Sequence, residues 1–155
     1  MGHDNFTQVF GKRTHTKTIN NVKFVLFDNA ANFTPIDASE ITWFKNQVVD
    51  ADYVILSQPL YHPTLGRMMG VVDGAEQPEV LNQAQQLLKS IRESNVKAII
   101  AGDHHLSSEN VDPMKLTLKH IVVGALTNER NLQTPRFSIL DVYTDKSFDI
   151  QDIDL

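Results

Sequence analysis

Three short segments of the chain carry apolar residues at almost every position, a pattern typical of strands that are buried on both faces. The segments are residues 22–28, 53–57 and 96–101. In the first segment Phe24 and Leu26 share one face of an extended chain, whereas Val25 lies on the opposite face. Each segment therefore predicts a strand that has packing on both sides of its sheet.

Two other segments place apolar residues at the 3.6-residue spacing of an amphipathic helix. The first predicts a helix over residues 38–49 that begins after Asp37, a typical N-cap, with Glu40 in the position that completes a capping box. The second opens at Pro78, which is tolerated at the first helical position because the N–H it lacks would be unpaired there. Asn95 is expected to end the second helix.

The C-terminal part of the chain predicts strands without intervening helices. These strands are residues 120–124, 136–143 and 147–153. Asp145 and Lys146 lie between the last two and predict a hairpin turn. Residues 59–77 lack periodicity and predict a long loop, and such loops in compact domains are often functional. The whole pattern predicts an α/β fold (α+β in stricter schemes) with a mixed sheet, antiparallel C-terminal strands and two main helices.

The composition limits the classes of function open to the chain. Its 155 residues, 41% of them apolar, predict a single domain over 1–155. The net charge of −5 is spread without a basic block, which disfavours nucleic acid and anionic membranes as partners. No apolar run reaches the ~20 residues of a membrane span. The absence of cysteine excludes disulfides and thiolate chemistry and leaves the compartment unknown, with the cytoplasm as the default expectation.

Polar residues follow the predicted buried strands at their carboxyl ends, where open α/β sheets place their sites. These residues are Asp28-Asn29, Ser57-Gln58 and Asp103-His104-His105. The last group offers a carboxylate and two imidazoles in one turn, and these ligand types suit zinc, manganese or iron. The alternative is an ordinary polar turn, in which Asp103 accepts hydrogen bonds from loop N–H groups and both imidazoles are solvated.

The remaining histidines carry weaker signals. His3 precedes Asp4, and a carboxylate beside an imidazole can orient the ring or raise its pKa; the alternative is a frayed terminus without a role. His62 lies in the long loop, within reach of a site, but a surface position is expected for it. His15 and His120 show no pattern that indicates chemistry.

Five short motifs recur along the chain: Gly2-His3-Asp4, VKFVLFDNA at 22–30, ITWF at 41–44, LSQPLY at 56–61 and AGDHH at 101–105. In order and spacing they resemble the motifs of calcineurin-like metallophosphoesterases. The chain resembles the C-terminal half of such a domain. The resemblance implies half of a four-layer αββα sandwich, whose complete site holds two metals that activate a water and clamp a phosphate. It also implies that His3 acts on the leaving oxygen and that Asp4 orients His3.

The chain departs from the family pattern at several ligand positions. The family's D-x-H and G-D-x-x-D motifs have no counterpart, and Gly2 stands where a metal-binding Asn is expected. Gln58 and Asp103 replace ligand histidines, whereas His105 matches its family position. The resemblance thus implies a metal site of Asp103 and His105, with Gln58 or His104 as further ligands. Such a site is expected to hold at most one divalent ion (Mn, Fe or Zn), weakly bound or absent.

Half of a two-sheet sandwich has an uncovered sheet face, and uncovered faces and edges promote association. The chain is therefore expected to form a homodimer or to bind a separate N-terminal half or subunit. Three functions remain open: half of a phosphate-ester hydrolase that is not competent alone, a degenerate non-catalytic module for interaction or structure, and an unrelated small α/β binding domain. Whether the chain is an enzyme is left open as well.

Overall fold

The computed structural model describes residues 7–9, 11–64, 66–131 and 133–155, with two main helices and ten strands. The helices are α1 (Ala38–Gln47), continued by a 3-10 turn (Val48–Asp50), and α2 (Pro78–Arg92). The strands are β1 (His15–Ile19), β2 (Val22–Phe27), β3 (Tyr53–Leu56), β4 (Val71–Val72), β5 (Ala75–Glu76), β6 (Ala98–Ala101), β7 (Ser108–Val111), β8 (Lys119–Val122), β9 (Arg136–Val142) and β10 (Phe148–Asp154).

Six of the strands form the main sheet, in the order β1-β2-β3-β6-β8-β7. The four central strands are parallel, and β1 and β7 pair antiparallel at the two edges. The three predicted buried strands are confirmed as the neighbours β2, β3 and β6. The C-terminal strands are antiparallel, as predicted, but β9 and β10 pair only with each other and form a separate two-stranded sheet. The fold is therefore a mixed α/β arrangement consistent with half of a sandwich.

The sequence signals for the helix ends act largely as predicted. The carboxylate of Asp37 caps α1 by accepting a 2.7 Å hydrogen bond from the Ser39 N–H. Pro78 is the first residue of α2, but the helix ends at Arg92, three residues before the predicted end at Asn95. Neither this helix nor any other in the described part of the chain is long and apolar enough to cross a membrane.

Both helices cover one face of the main sheet and bury its central strands. Val25 and Phe27 of β2 lie in this core, and Phe44 of α1 packs on Phe27 with ring centroids 4.8 Å apart. Leu87 and Ile91 of α2 are fully buried against the same face. This face is therefore the main hydrophobic core.

The β9–β10 hairpin covers part of the opposite face. Phe148 of the hairpin meets Tyr53 edge-on, with ring centroids 5.7 Å apart. The Tyr53 hydroxyl donates a 2.8 Å hydrogen bond to the carbonyl of Lys146, and burial, helped by the charge of Asp52, raises the pKa of Tyr53 to about 12. Lys146 in turn donates to both carboxylate oxygens of Asp52, at 2.9 and 3.0 Å. These polar contacts fix the hairpin turn to the main sheet.

Among the described residues, neither the hairpin nor any other element covers the part of this face near β1. Here a cleft of about 230 Å³ is lined by His15, Lys17, Ile19, Phe24, Leu26 and Ile55. Ile19 is 52% exposed, and Leu26 and Ile55 are only partly buried, in contrast to the residues of the same strands on the helix side. We call this surface the open face.

A buried ion network joins α2 to the β7 edge. Asp112 is fully buried and accepts hydrogen bonds from both Nε and a terminal nitrogen of Arg92 and one, at 2.8 Å, from His120. Burial alone would raise the pKa of Asp112, but the bonds from Arg92, His120 and the Met114 N–H lower it to about 2. Burial also lowers the pKa of His120, against the opposing effect of Asp112. His120, which carries no sequence signal, is thus a core residue with a polar partner.

We expect Asp112→Ala to lower the free energy of unfolding by about 3 kcal/mol, because Arg92 and His120 lose their common buried partner. Glu109→Ala, which breaks the exposed ion pair to Lys119, should cost less than about 0.5 kcal/mol and serves as control. Urea unfolding at pH 7 measures both variants. Equal losses in the two variants would contradict the assigned role of Asp112.

The same network predicts a dependence on acid. Because the folded-state pKa of Asp112 lies below the ordinary 3.8, its contribution is fully present above pH 3.8 and is lost as the pH falls toward 2. Acid titration followed by circular dichroism should therefore show a shallower fall in stability between pH 4 and pH 2 for Asp112→Asn than for the unmodified chain. Curves of equal slope for the two chains would count against the lowered pKa of Asp112.

Candidate functional site

The carboxyl ends of β2, β3 and β6 bring together the polar residues that follow them. Asn29, after β2, is fully buried and pairs with the backbone of Gln58, after β3. Its side-chain amide donates to the Gln58 carbonyl at 2.9 Å, and its side-chain oxygen accepts from the Gln58 N–H at 2.9 Å. This pair of hydrogen bonds between neighbouring strand ends satisfies backbone groups that the sheet no longer pairs. These two bonds fix the backbone of Gln58, from which its side chain extends.

The Gln58 side chain presents its amide nitrogen, rather than its oxygen, to the neighbouring acceptors. The nitrogen donates to the side-chain oxygen of Asn32 at 2.5 Å and to Asp103 at 3.2 Å. Gln58 is only 4% exposed, and its side-chain oxygen is buried without a hydrogen-bond partner among the described residues. A metal beside Asp103 would meet an N–H donor in this arrangement, so Gln58 could ligate only after its amide turned over.

Asp103 is held between two donors. It has a φ of 72°, in the left-handed region that Asp tolerates better than most residues. Its carboxylate accepts from Gln58 and lies 3.6 Å from the Arg67 guanidinium, which is itself 3.9 Å from Asp73. This differs from the alternative of a simple turn, in which loop N–H groups would be the partners. Arg67 already supplies the positive charge that a metal would otherwise provide.

The two imidazoles after Asp103 diverge. The Nε2 atom of His104 hydrogen-bonds to the carbonyl of Arg67, whereas Nδ1 of His105 lies 3.2 Å from the carbonyl of Glu129. Nε2 must donate to a carbonyl, which leaves Nδ1 of His104 as an acceptor, and this atom is buried without a partner among the described residues. Burial lowers the pKa of His104, although the bond to Arg67 opposes the shift. The His105 ring thus points to the loop that carries Glu129.

His62 is buried, so the expectation of a surface position is wrong. Its Nδ1 accepts a 3.2 Å hydrogen bond from the Thr64 N–H, so in the neutral ring the proton sits on Nε2, which lies 3.2 Å from the Ser108 hydroxyl. A ring that donates to Ser108 does not serve as its base, which argues against a Ser–His nucleophile here. Burial, with the nearby His104 and His120, lowers the pKa of His62.

A cleft of about 420 Å³ opens beside this cluster, lined by Gly66, Arg67, Asp73, Gly74 and His104. The loop that forms its wall is fixed on α2 at Gly70. The Gly70 carbonyl accepts a 2.8 Å hydrogen bond from the Gln77 N–H, and a Cβ at Gly70 would lie 2.4 Å from the Leu81 nitrogen. Only glycine allows this approach, which fixes the loop to α2 three residues after Arg67.

The structure brings Gln58, Asp103 and His104 near one another and places the His105 ring elsewhere. Within the described ranges, no group of three or more His, Cys, Asp or Glu side chains is arranged to hold a metal ion. The metal site therefore stays a prediction. The predicted catalytic pair, His3 and Asp4, lies outside the described residues.

Sequence reasoning missed two residues of this cluster, Asn32 and Arg67, and expected a third, His62, at the surface. Asn32 and Arg67 lie in irregular segments, where no periodicity reports which way a side chain points. For Arg67 the available signal was the length and glycine content of the loop over residues 59–77, which marked the region but not the residue. Their roles depend on contacts across 26 to 46 positions of sequence.

Comparison with known proteins shows a likeness of fold. No protein-family model matches the chain, and no curated protein does. Among solved structures, the chain is similar to GAP50 of Plasmodium, described as the anchor in the inner membrane complex, with a TM-score of 0.57 and 16% identity over 90% of this chain and 48% of that one. It is also similar to Vps29 of Entamoeba histolytica, solved with zinc, with a TM-score of 0.36 and 13% identity over 92% and 60%. The chain spans about half the length of GAP50, and that likeness shows the fold alone.

The orientation of Gln58 can be tested by giving Asp103 a like charge. Gln58→Glu should lower the free energy of unfolding by about 2 kcal/mol at pH 7.5, because two carboxylates would lie where a hydrogen bond is now made. At pH 5 part of this loss should disappear, because repulsion raises the pKa of the introduced carboxyl group and the pair can share a proton. Urea unfolding at the two pH values measures the effect.

Gln58→Met is the matched control, since it removes the side-chain hydrogen bonds of Gln58 to Asn32 and Asp103 without adding charge. Its loss relative to the unmodified chain should be the same at both pH values. An identical pH response of the two variants would show that Gln58 and Asp103 are not in contact.

Proposed function

We propose that the chain provides one half of a two-sheet sandwich of the calcineurin-like phosphoesterase type and works as an interaction module, and that it does not perform the two-metal hydrolysis by itself. The observation that carries this proposal is the open face. A six-stranded sheet covered by helices on one side and by only a short hairpin on the other leaves apolar side chains in contact with water.

The free energy of packing favours a partner that covers this face. The helix-side residues of β2 and β3, such as Val25 and Val54, are fully buried, whereas Leu26 and Ile55 on the other side are not. Burying apolar surface stabilises by about 25 cal/mol per Å², so a second sheet placed here would gain free energy from the surface it covers. The likeness to 48% of a longer chain supports a missing half of similar size.

The geometry of the polar cluster favours interaction over catalysis. Two-metal hydrolysis requires ligands for both ions and an open position for the attacking water. Here Gln58 offers a donor to Asp103, Arg67 lies beside the same carboxylate, and His105 points elsewhere. An assembly role is also what the description of GAP50 states for that protein, as an anchor in a membrane complex.

The hydrolase alternative rests on the resemblance, with His3 and Asp4 as its catalytic pair and one Mn, Fe or Zn ion as its cofactor. We expect the purified chain, supplied with manganese, to hydrolyse a generic aryl phosphate no faster than its Asp103→Ala variant. Hydrolysis well above the buffer rate that disappears in Asp103→Ala would overturn the proposal of a non-catalytic module.

The open face can be tested on the chain diluted until light scattering gives the monomer mass. We expect this monomer to bind a fluorescent apolar dye and the variant Leu26→Ser/Ile55→Ser to bind it at least several-fold more weakly. Val49→Ser, which changes an exposed apolar residue on the helix side, should leave dye binding unchanged. Equal dye binding by all three chains would contradict the proposal.

A further inference from the structure

We infer that the partner of the open face is a second copy of this chain, whose β9–β10 hairpin inserts beside the first copy's own hairpin. The inference rests on the proposed function, because it names the occupant of the same face. Three features carry it: the shape of the cleft near β1, the apolar outer side of the hairpin, and opposite charges on the two surfaces.

The cleft accepts a flat apolar element. The antiparallel register of β1 and β2 sets Lys17 opposite Phe24 and His15 opposite Leu26, so all four point to the same side of the sheet. With Ile55 of β3 they line about 230 Å³ of open space. The cleft is thus apolar at its base and basic at its β1 rim.

The outer side of the hairpin has the matching character. Side chains along β9 alternate, so those of Phe137 and Ile139 point away from the sheet that the hairpin covers, and each is 39% exposed. Phe137 lies directly across from Ile153 of β10 on this side. A hairpin that packs on one sheet by its inner side therefore has a second apolar side available for another sheet.

The charges on the two surfaces are opposite. Asp141 and Asp149 lie directly across from each other on the outer side of the hairpin, and like charges in such a cross-strand pair repel. Asp149 accepts a hydrogen bond from the Tyr143 hydroxyl, but neither aspartate forms an ion pair within the described residues. Lys17, at the rim of the cleft, likewise has no ion-pair partner in the described part of the chain. Bringing Lys17 of one copy to the aspartates of the other neutralises both.

A two-fold axis makes the arrangement close on itself. Each copy contributes one hairpin and one cleft, so two symmetric contacts form at once and no surface remains to recruit a third copy. Both hairpins then lie side by side in a middle layer, with one six-stranded sheet roughly 10 Å above and the other roughly 10 Å below. The second hairpin occupies the space that a second sheet would fill in a complete sandwich.

Sedimentation velocity of the full chain over a range of concentrations tests the inference. The chain should sediment as a dimer, and Lys17→Glu and Asp141→Lys should each raise the dissociation constant about tenfold or more, since each change acts at both symmetric contacts. The combination Lys17→Glu/Asp141→Lys in one chain should return it to within a few-fold of the unmodified value. Salt at about 0.5 M should weaken the unmodified dimer.

Lys89→Glu is the matched control, because it makes the same charge change on an exposed part of α2, on the far side of the sheet. It should leave the dissociation constant unchanged, and circular dichroism should show that every variant is folded. A further variant, Ile139→Ser, should weaken the dimer, whereas Leu116→Ser, at an exposed residue outside the proposed contact, should not.

Two outcomes would overturn the inference. One is a chain that remains monomeric at all concentrations. The other is a dimer for which the combined variant Lys17→Glu/Asp141→Lys has a dissociation constant no lower than that of either single variant. Dye binding that depends on Leu26 and Ile55 would in either case leave the proposed function standing, with a different partner on the open face. If the chain shows neither the charge-dependent dimer nor dye binding that depends on Leu26 and Ile55, both proposals are contradicted.

Discussion

The main sheet is apolar on both faces, but the helices in the described part of the chain cover only one of them. Parallel strands require crossover connections, and both crossover helices of this chain pass on the same side. The opposite side is left to a single hairpin, whose turn lies at the amino end of β3 and which stops before the β1 edge. The expected association of the molecule follows from this imbalance.

The polar cluster is built by the same sheet. Three parallel strands end at one edge, so the residues that follow them are forced together whatever their chemistry. Here two of these residues are amides. The Asn29 side chain hydrogen-bonds to the backbone at the end of the neighbouring strand, and the Gln58 side chain donates to Asp103. Arg67 completes the charge balance from a loop that is fixed to α2. An arrangement of this kind holds loops in place, and this structural role is sufficient to explain why polar side chains are buried there.

Elements with a strong apolar period could be predicted from the sequence, and elements defined by their neighbours could not. The helices and the three buried strands each show, within their own segment, the apolar spacing of the structure that they form. The edge strands β1 and β7 read HTKTI and SENV, which are short and polar because each has only one neighbour to pair with. The bonds from Arg92 and His120 to Asp112 span 20 and 8 positions, so no local pattern reports them. The candidate metal residues follow the strand ends as the pattern indicates, but the direction of His105 is set by a distant loop.

The register of the hairpin is specified both by its strands and by its turn. A slip of one residue in β9 would turn Asp141 toward the apolar face of the main sheet, where a carboxylate without a partner is costly. The turn specifies the same alignment, because the Lys146 side chain donates to Asp52 and the Lys146 carbonyl accepts from Tyr53. A deletion or insertion in either strand would therefore bury a charge and break the polar contacts of the turn at once, so the hairpin is expected to tolerate changes of residue type better than changes of length.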